Sequence, residues 1–114
     1  MSNDCLFCKI ITGKIPCDKV YEDDLVIAFR DIAPVAPQHI LVVPKVHIQS
    51  ANDITEENSQ IIAHIFVTAK NLAAELGFAG NGYRIVNNCG LDGGQTVGHI
   101  HFHIIAGRVG GGMF

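Results

Sequence analysis

The spacing of apolar positions changes along the chain, and each change marks an element. Between residues 55 and 76, Ile61, Ile62, Ile65, Phe66, Ala69, Leu72, Ala73 and Leu76 recur at helical spacing. They predict one long amphipathic helix. Glu56 and Glu57 are expected in its first turn, where carboxylates favour the dipole, and Gly77 at its end. A shorter helical face, Leu6, Phe7, Ile10 and Ile11, lies within residues 4–12, with Asp4 as the expected N-cap and Gly13 as the stop. Residues 18–22 and 25–30 read as strands around the turn Glu22-Asp23-Asp24. Pro34 and Pro37 force an irregular loop. Residues 39–43 are a short, continuously apolar strand ended by Pro44. Gly80-Asn81-Gly82 is a turn, residues 83–87 a strand, 88–98 a glycine-rich loop and 99–106 the last strand. The pattern is α+β: a five-stranded antiparallel sheet with one long and one short helix. No repeat, linker or low-complexity tract divides it, so residues 1–114 read as a single domain.

Composition narrows the class. The hydrophobic share is 48%, enough for a packed core, and the net charge of -3 offers no basic surplus for nucleic acid. No apolar run approaches the roughly 18–20 residues of a membrane span, and residues 1–4 lack the start of a signal peptide. A cytoplasmic location is expected, with no nucleic-acid or membrane partner. In a reducing compartment Cys5, Cys8, Cys17 and Cys89 do not suggest a disulfide framework; the close pair Cys5 and Cys8 reads as metal-binding or as buried thiols.

The strongest chemical signal is His99-Ile100-His101-Phe102-His103-Ile104. Side chains alternate faces along a strand, so the three histidines share one face and Ile100, Phe102 and Ile104 the other. The apolar face suits packing under the long helix. Three imidazoles in a row are costly to bury without partners. Two functional readings stand against a chance surface row: a metal site, or nucleophilic attack by an imidazole nitrogen on phosphorus. The preceding Asp92-Gly93-Gly94-Gln95-Thr96 favours an anion, because glycines let backbone N–H groups approach it closely.

The run from Asp92 to Arg108 resembles the histidine-triad (HIT) signature, and its Asp-Gly-Gly-Gln form resembles the Hint branch. Blocks at Phe7 to Ile11, Ile15-Pro16, Tyr21 to Asp23, Ala28 to Pro34 and His39 to Ile48 follow the family in order, over nearly the whole chain. The resemblance implies a nucleotide hydrolase in which His101 attacks the α-phosphorus of a purine nucleoside phosphoramidate. A nucleotidyl-histidine forms, and water releases the 5'-monophosphate without a metal. His103 and His39 are implied to line the phosphate, with His99 completing the histidine set. The Gly94 backbone, Thr96 and Asn88 are implied as donors to the phosphate, and Gln95 as a partner of the bridging or leaving-group atom. Asp31 is implied for the ribose, with neighbouring Ile32 in the nucleotide site, and Phe7, Ile10, Ile15 and Phe29 as the slot for the base.

Members with the cysteine pair bind zinc, which implies a structural set of Cys5, Cys8, His47 and His99. A homodimer with the sheet continued across it is also implied. Dinucleoside polyphosphate hydrolysis, nucleotidyl transfer and a regulatory binding role are the neighbouring readings. Thr96 stands where the branch commonly has Ser, Gly98 where a larger residue is common, and the glycine-rich end from Gly110 to Phe114 replaces a tail with Trp and prolines. His64 reads as structural or surface.

Overall fold

The computed structural model of the chain describes residues 5–108. Short helix α1 (Leu6–Ile11) precedes strands β1 (Lys19–Glu22), β2 (Val26–Arg30) and β3 (Gln38–Pro44). Long helix α2 (Ser59–Glu75) follows, then β4 (Arg84–Val86) and β5 (Phe102–Ala106). The sheet is antiparallel, in the order β1-β2-β3-β5-β4. The expected α+β architecture of five strands with one long and one short helix is what the chain adopts.

The alternation of side chains divides the core between the two faces of the sheet. Val26, Ala28, Ile40, Val42, Ile100, Phe102 and Ile104 pack against Ile65, Ala69, Leu72 and Ala73 of α2. Ile27, Phe29, Leu41 and Val43 pack against Phe7, Cys8 and Ile10 of α1. Covering both faces explains why β2 and β3 read as continuous apolar runs rather than alternating ones. Each fully buried Ile or Val contributes about 1.5–3 kcal/mol. α1 therefore fixes the face that carries the histidines, while α2 seals the opposite one.

Several boundaries differ from the sequence expectation, each for a local reason. The expected N-cap Asp4 lies outside the described residues; the Cys5 sulfur caps α1 instead, accepting from the Cys8 N–H at 3.3 Å. α2 begins at Ser59 rather than residue 55, and Glu56 and Glu57 precede it. Thr55 and Asn58 form a reciprocal pair, each side-chain oxygen accepting the other's backbone N–H, and this closes a turn before the helix. β3 runs through Pro44. The ladder to β5 ends at Val42, so the missing N–H of Pro44 deprives no partner there. For the same reason β5 starts at Phe102, not at residue 99. Residues 99–101 run beyond that ladder, tied by the Ile100 N–H to the Ile48 carbonyl at 2.6 Å. Among the described residues no helix is long and apolar enough to cross a membrane.

Candidate active site

β3 and β5 pair with Leu41 opposite His103 and His39 opposite Ile105, which puts His39 and His103 side by side on the α1 face. The rings continue as a row. His39 and His103 have centroids 5.2 Å apart, His101 and His103 5.2 Å, and Phe7 stands edge-on to His101 at 4.9 Å and to His99 at 6.0 Å. His47 closes the row against His99 at 4.7 Å. The three histidines of the motif keep their shared face, although only His103 lies within the strand. Ile100, Phe102 and Ile104 take the other face under α2 as expected.

Hydrogen bonds fix what each ring presents. The Nδ1–H of His101 donates to the His99 carbonyl at 2.8 Å, which leaves the lone pair on Nε2. The Nε2–H of His99 donates to the Pro44 carbonyl at 2.9 Å, so its lone pair is on Nδ1. The Val35 N–H donates to His39 Nδ1 at 3.2 Å. His39 Nε2–H then donates to His103 Nδ1 at 2.9 Å, and His103 keeps its proton on Nε2. Burial favours the neutral form of His99, His101 and His103. It pushes His99 down to about 4, lowers His101, and pushes His103 down to about 4 with help from the neighbouring His101 and His39. The cost anticipated for three buried imidazoles is met by partners. Among the described residues no buried side-chain nitrogen or oxygen lacks a hydrogen bond. The row thus offers a nucleophilic nitrogen on His101 and an N–H donor on His103.

The glycine-rich loop runs beside the row. A Cβ on Gly93 would collide with the Cys89 backbone, so only glycine allows this close fold. Gln95 spends its amide on the backbone: Oε1 accepts from the Gly90 N–H at 2.9 Å, and Nε2 donates to the Gln49 and Val97 carbonyls at 2.8 and 2.9 Å. Its place is that of a pin that shapes the loop. Gly94 and Thr96 are exposed on the loop and Asn88 is half-buried at its start. A Cβ at Gly98 would meet open space. The sequence reading passed over Asn87, whose Nδ2 donates to the His101 carbonyl at 2.9 Å. Its signal is positional: β4 pairs Val86 with His103, so Asn87 comes level with Phe102 and its side chain reaches the adjoining His101 carbonyl.

Asp31 follows β2. Its Oδ1 accepts from the Ala33 N–H at 2.8 Å, and its Oδ2 lies 3.5 Å from His39 Nε2. Ile32 beside it is fully exposed. Phe7, Ile10 and Phe29 are buried in one cluster, with Ile15 packed on its margin and the Phe7 and Phe29 rings edge-to-face at 5.8 Å. Asp31, His39 and His103 offer ligand atoms within 4.8 Å of one another.

Cys5, Cys8, His47 and His99 also converge, with all four ligand atoms within 4.8 Å. His99 Nδ1 lies 3.3 Å from Cys5 Sγ, 3.5 Å from Cys8 Sγ and 3.1 Å from His47 Nδ1; Cys8 Sγ lies 3.3 Å from His47 Nδ1. Burial, followed by the adjacent Cys5, pushes the Cys8 thiol up to about 11. The donor set suits a metal ion, because a cation in the centre reverses that penalty on the thiolates. His64 lies on α2, where its Nε2 meets Asp23 Oδ2 at 2.6 Å, a structural contact as expected. The glycine-rich end from Gly110 lies outside the described residues.

Comparison with known proteins agrees with this arrangement. The chain is 45% identical over 113 residues to the purine nucleoside phosphoramidase of Escherichia coli K12, covering 99% of this chain and 95% of that enzyme. It is 51% identical over 108 residues to an uncharacterised HIT-like protein of Synechococcus elongatus, covering 95% and 94% of the two chains. A histidine triad protein from Clostridium difficile superposes with a TM-score of 0.95 at 52% identity, covering 100% of this chain and 99% of that one. A HIT family hydrolase from Clostridium thermocellum gives 0.96 at 43% identity over the whole of both chains. The HIT domain family matches residues 12–110, and the chain belongs to that family.

Proposed function

We propose that the protein is a nucleotide hydrolase that cleaves purine nucleoside phosphoramidates to the nucleoside 5'-monophosphate. The observation that carries this reading is the pair of neutral rings: His101 with its lone pair on Nε2, next to His103 with its proton on Nε2. A lone pair beside a donor suits attack on phosphorus while charge builds on the phosphate oxygens. His101 Nε2 forms a bond to the α-phosphorus. The phosphorus–nitrogen bond breaks and the leaving amine takes a proton from solvent water. Water then adds to the phosphorus, the phosphorus–imidazole bond breaks, and His101 is restored as the monophosphate leaves. His103 and His39 stabilise the phosphate, together with the Gly94 backbone, Thr96 and Asn88. Asp31 accepts from the ribose, and Phe7, Ile10, Ile15 and Phe29 with Ile32 enclose the base. Gln95 shapes the loop that does the binding. The similarity to the Escherichia coli enzyme supports this substrate class over dinucleoside polyphosphates.

The Cys5, Cys8, His47 and His99 set fits zinc in a structural role. Its nitrogen–nitrogen and nitrogen–sulfur separations of 3.1 to 3.5 Å are close to the edges of a zinc tetrahedron, roughly 3.3–3.6 Å. An ion held there would fix the orientation of His99, while attack and phosphate binding fall to His101, His103 and His39 of the chain. We read residues 1–114 as one domain, acting in the cytoplasm as a homodimer.

Turnover of adenosine 5'-phosphoramidate by the wild type and His101→Ala tests the reading. AMP release that disappears in the variant is the expected result. Faster cleavage of diadenosine polyphosphates, or binding of AMP with no turnover of either substrate, would overturn it.

A further inference from the structure

The loop between β2 and β3 holds both Asp31 and the backbone N–H that meets His39, so its position matters to the whole histidine row. Two residues just past β5 grip it. Arg108 donates from its guanidinium to the Val35 carbonyl at 2.9 Å. Gly107, at φ 95, lies against Pro37 so closely that an added Cβ would come within 2.9 Å of the Pro37 Cβ and Cγ. The register explains why they meet: Gln38 pairs with Ala106, so the chain leaving β5 passes directly over the loop entering β3.

From Val35 a continuous chain of donors leads inward. Its N–H donates to His39 Nδ1 at 3.2 Å, and His39 Nε2–H donates to His103 Nδ1 at 2.9 Å. The donor at His39 Nδ1, with the Asp31 carboxylate 3.5 Å from Nε2, keeps the proton of that ring on Nε2. With the proton there, His103 accepts on Nδ1 and holds its own proton on Nε2. If the Val35 N–H moves away, His39 is free to place its proton on Nδ1. His39 Nε2 and His103 Nδ1 then exchange roles, and His103 loses its outward donor.

We propose that Gly107 and Arg108 are positioning residues, a clasp on the 31–37 loop that holds the Val35 N–H on His39 and so sets the tautomer of His103. The effect on turnover rests on the hydrolase reading above; the effect on the rings does not. Neither residue needs to touch substrate for this. Gly107 acts by shape and Arg108 by one directed hydrogen bond, so the two substitutions probe the clasp independently.

The test uses the full chain as wild type, Arg108→Ala, Arg108→Lys and Gly107→Ala, with histidine ring nitrogens followed by 15N NMR. In the wild type His39 and His103 should each show a single Nε2–H form. In Arg108→Ala and Gly107→Ala both tautomers of His39 should appear, and kcat on adenosine 5'-phosphoramidate should fall roughly tenfold with KM changed less than about twofold. Arg108→Lys, which keeps a donor for the Val35 carbonyl, should recover most of both. Ring signals in the two disruptive variants identical to the wild type would overturn the proposal, whatever happens to kcat. A wild type that leaves the phosphoramidate intact would overturn the hydrolase reading, and the ring signals would still decide the clasp.

Discussion

Two backbone carbonyls decide what the motif histidines can do. The Pro44 carbonyl takes the proton of His99 and the His99 carbonyl takes that of His101, so successive rings in the row carry their lone pairs on different nitrogens. The first lone pair joins the cysteines and the second is left for chemistry. Alternation in the sequence could place these rings on one face, but it could not say which nitrogen of each carries the proton. For His99 and His39 that depends on the Pro44 carbonyl and the Val35 N–H, and for His101 on how the backbone folds the His99 carbonyl back onto its ring. Burial adds the protonation state. Burial holds His101 below the usual 6.5 and pushes His103 down to about 4, so the nucleophile is unprotonated at neutral pH. The acid limb of kcat/KM is therefore expected below pH 6.5, and a profile measured from pH 4.5 to 8 would show it. Half-maximal activity at or above 6.5 would mean that burial does not govern these rings. Stability should move the same way. Both pKa values are lower in the folded chain than in the unfolded one, so the unfolded chain binds more protons between about 4 and 6.5. The urea midpoint should then fall as pH drops through that window.

Contacts between elements show where the periodic pattern was informative and where it was not. The apolar rows of α2, β2 and β3 were legible because burial dictates them. The start of α2 was not, because the reciprocal pair of Thr55 and Asn58 competes with helix for the same backbone donors. The turn between β1 and β2 was legible as a turn, yet its Asp23 does more than turn the chain. Burial alone would raise its carboxyl. The Tyr21 hydroxyl, His64 and the Leu25 and Val26 N–H groups outweigh that and hold it well below the usual carboxylate range. Asp23 thereby ties the hairpin to α2 on the side of the sheet away from the histidine row. Asp23→Ala should cost about 1–3 kcal/mol in urea unfolding and leave kcat per folded molecule unchanged. A matching loss of kcat would place this turn in the active site. The cysteine and histidine cluster joins three other segments: the start of α1, the stretch after β3 and the stretch before β5. Metal analysis of the purified chain should find about one zinc per molecule, and Cys8→Ser should lose it. Zinc at a thousand times its Kd would add about 4 kcal/mol to the folded state, so chelation should lower the Tm of the wild type and leave that of Cys8→Ser where it was. A wild type free of zinc after growth in zinc-supplemented medium would leave the four residues as a buried hydrogen-bonded cluster.

For the whole molecule, the sequence carried the fold through its joint pattern of blocks rather than through any one of them, and it carried assembly least. The helical period of α2 showed more apolar positions than one buried face needs, without saying what the surplus meets. The fold shows which they are. Ile65, Ala69 and Leu72 go into the core, whereas Phe66 and Val67 stay 46% and 49% exposed. The strand order also leaves β4 at one edge of the five-stranded sheet. An exposed edge strand and an exposed apolar helix face are each an aggregation hazard unless something covers them. A stable dimer buries roughly 1,200–2,000 Å2 in total, and the exposed apolar arc of α2 is the surface to test for that role. Val67 is the position to test, because Phe66 also stacks on Phe102 at 5.6 Å and its loss would disturb the core. In a two-fold dimer packed through this arc of α2, Val67→Glu would bury a charge in the interface, which strongly disfavours association. Sedimentation equilibrium should give the wild type about twice the 12.3 kDa of one chain at micromolar concentration, and Val67→Glu a single chain with an unchanged far-ultraviolet spectrum. A wild type that sediments as one chain at every concentration would mean that the exposed arc of α2 serves something other than a second copy. A Val67→Glu protein that remains dimeric would move the interface off α2, leaving the β4 edge to carry it.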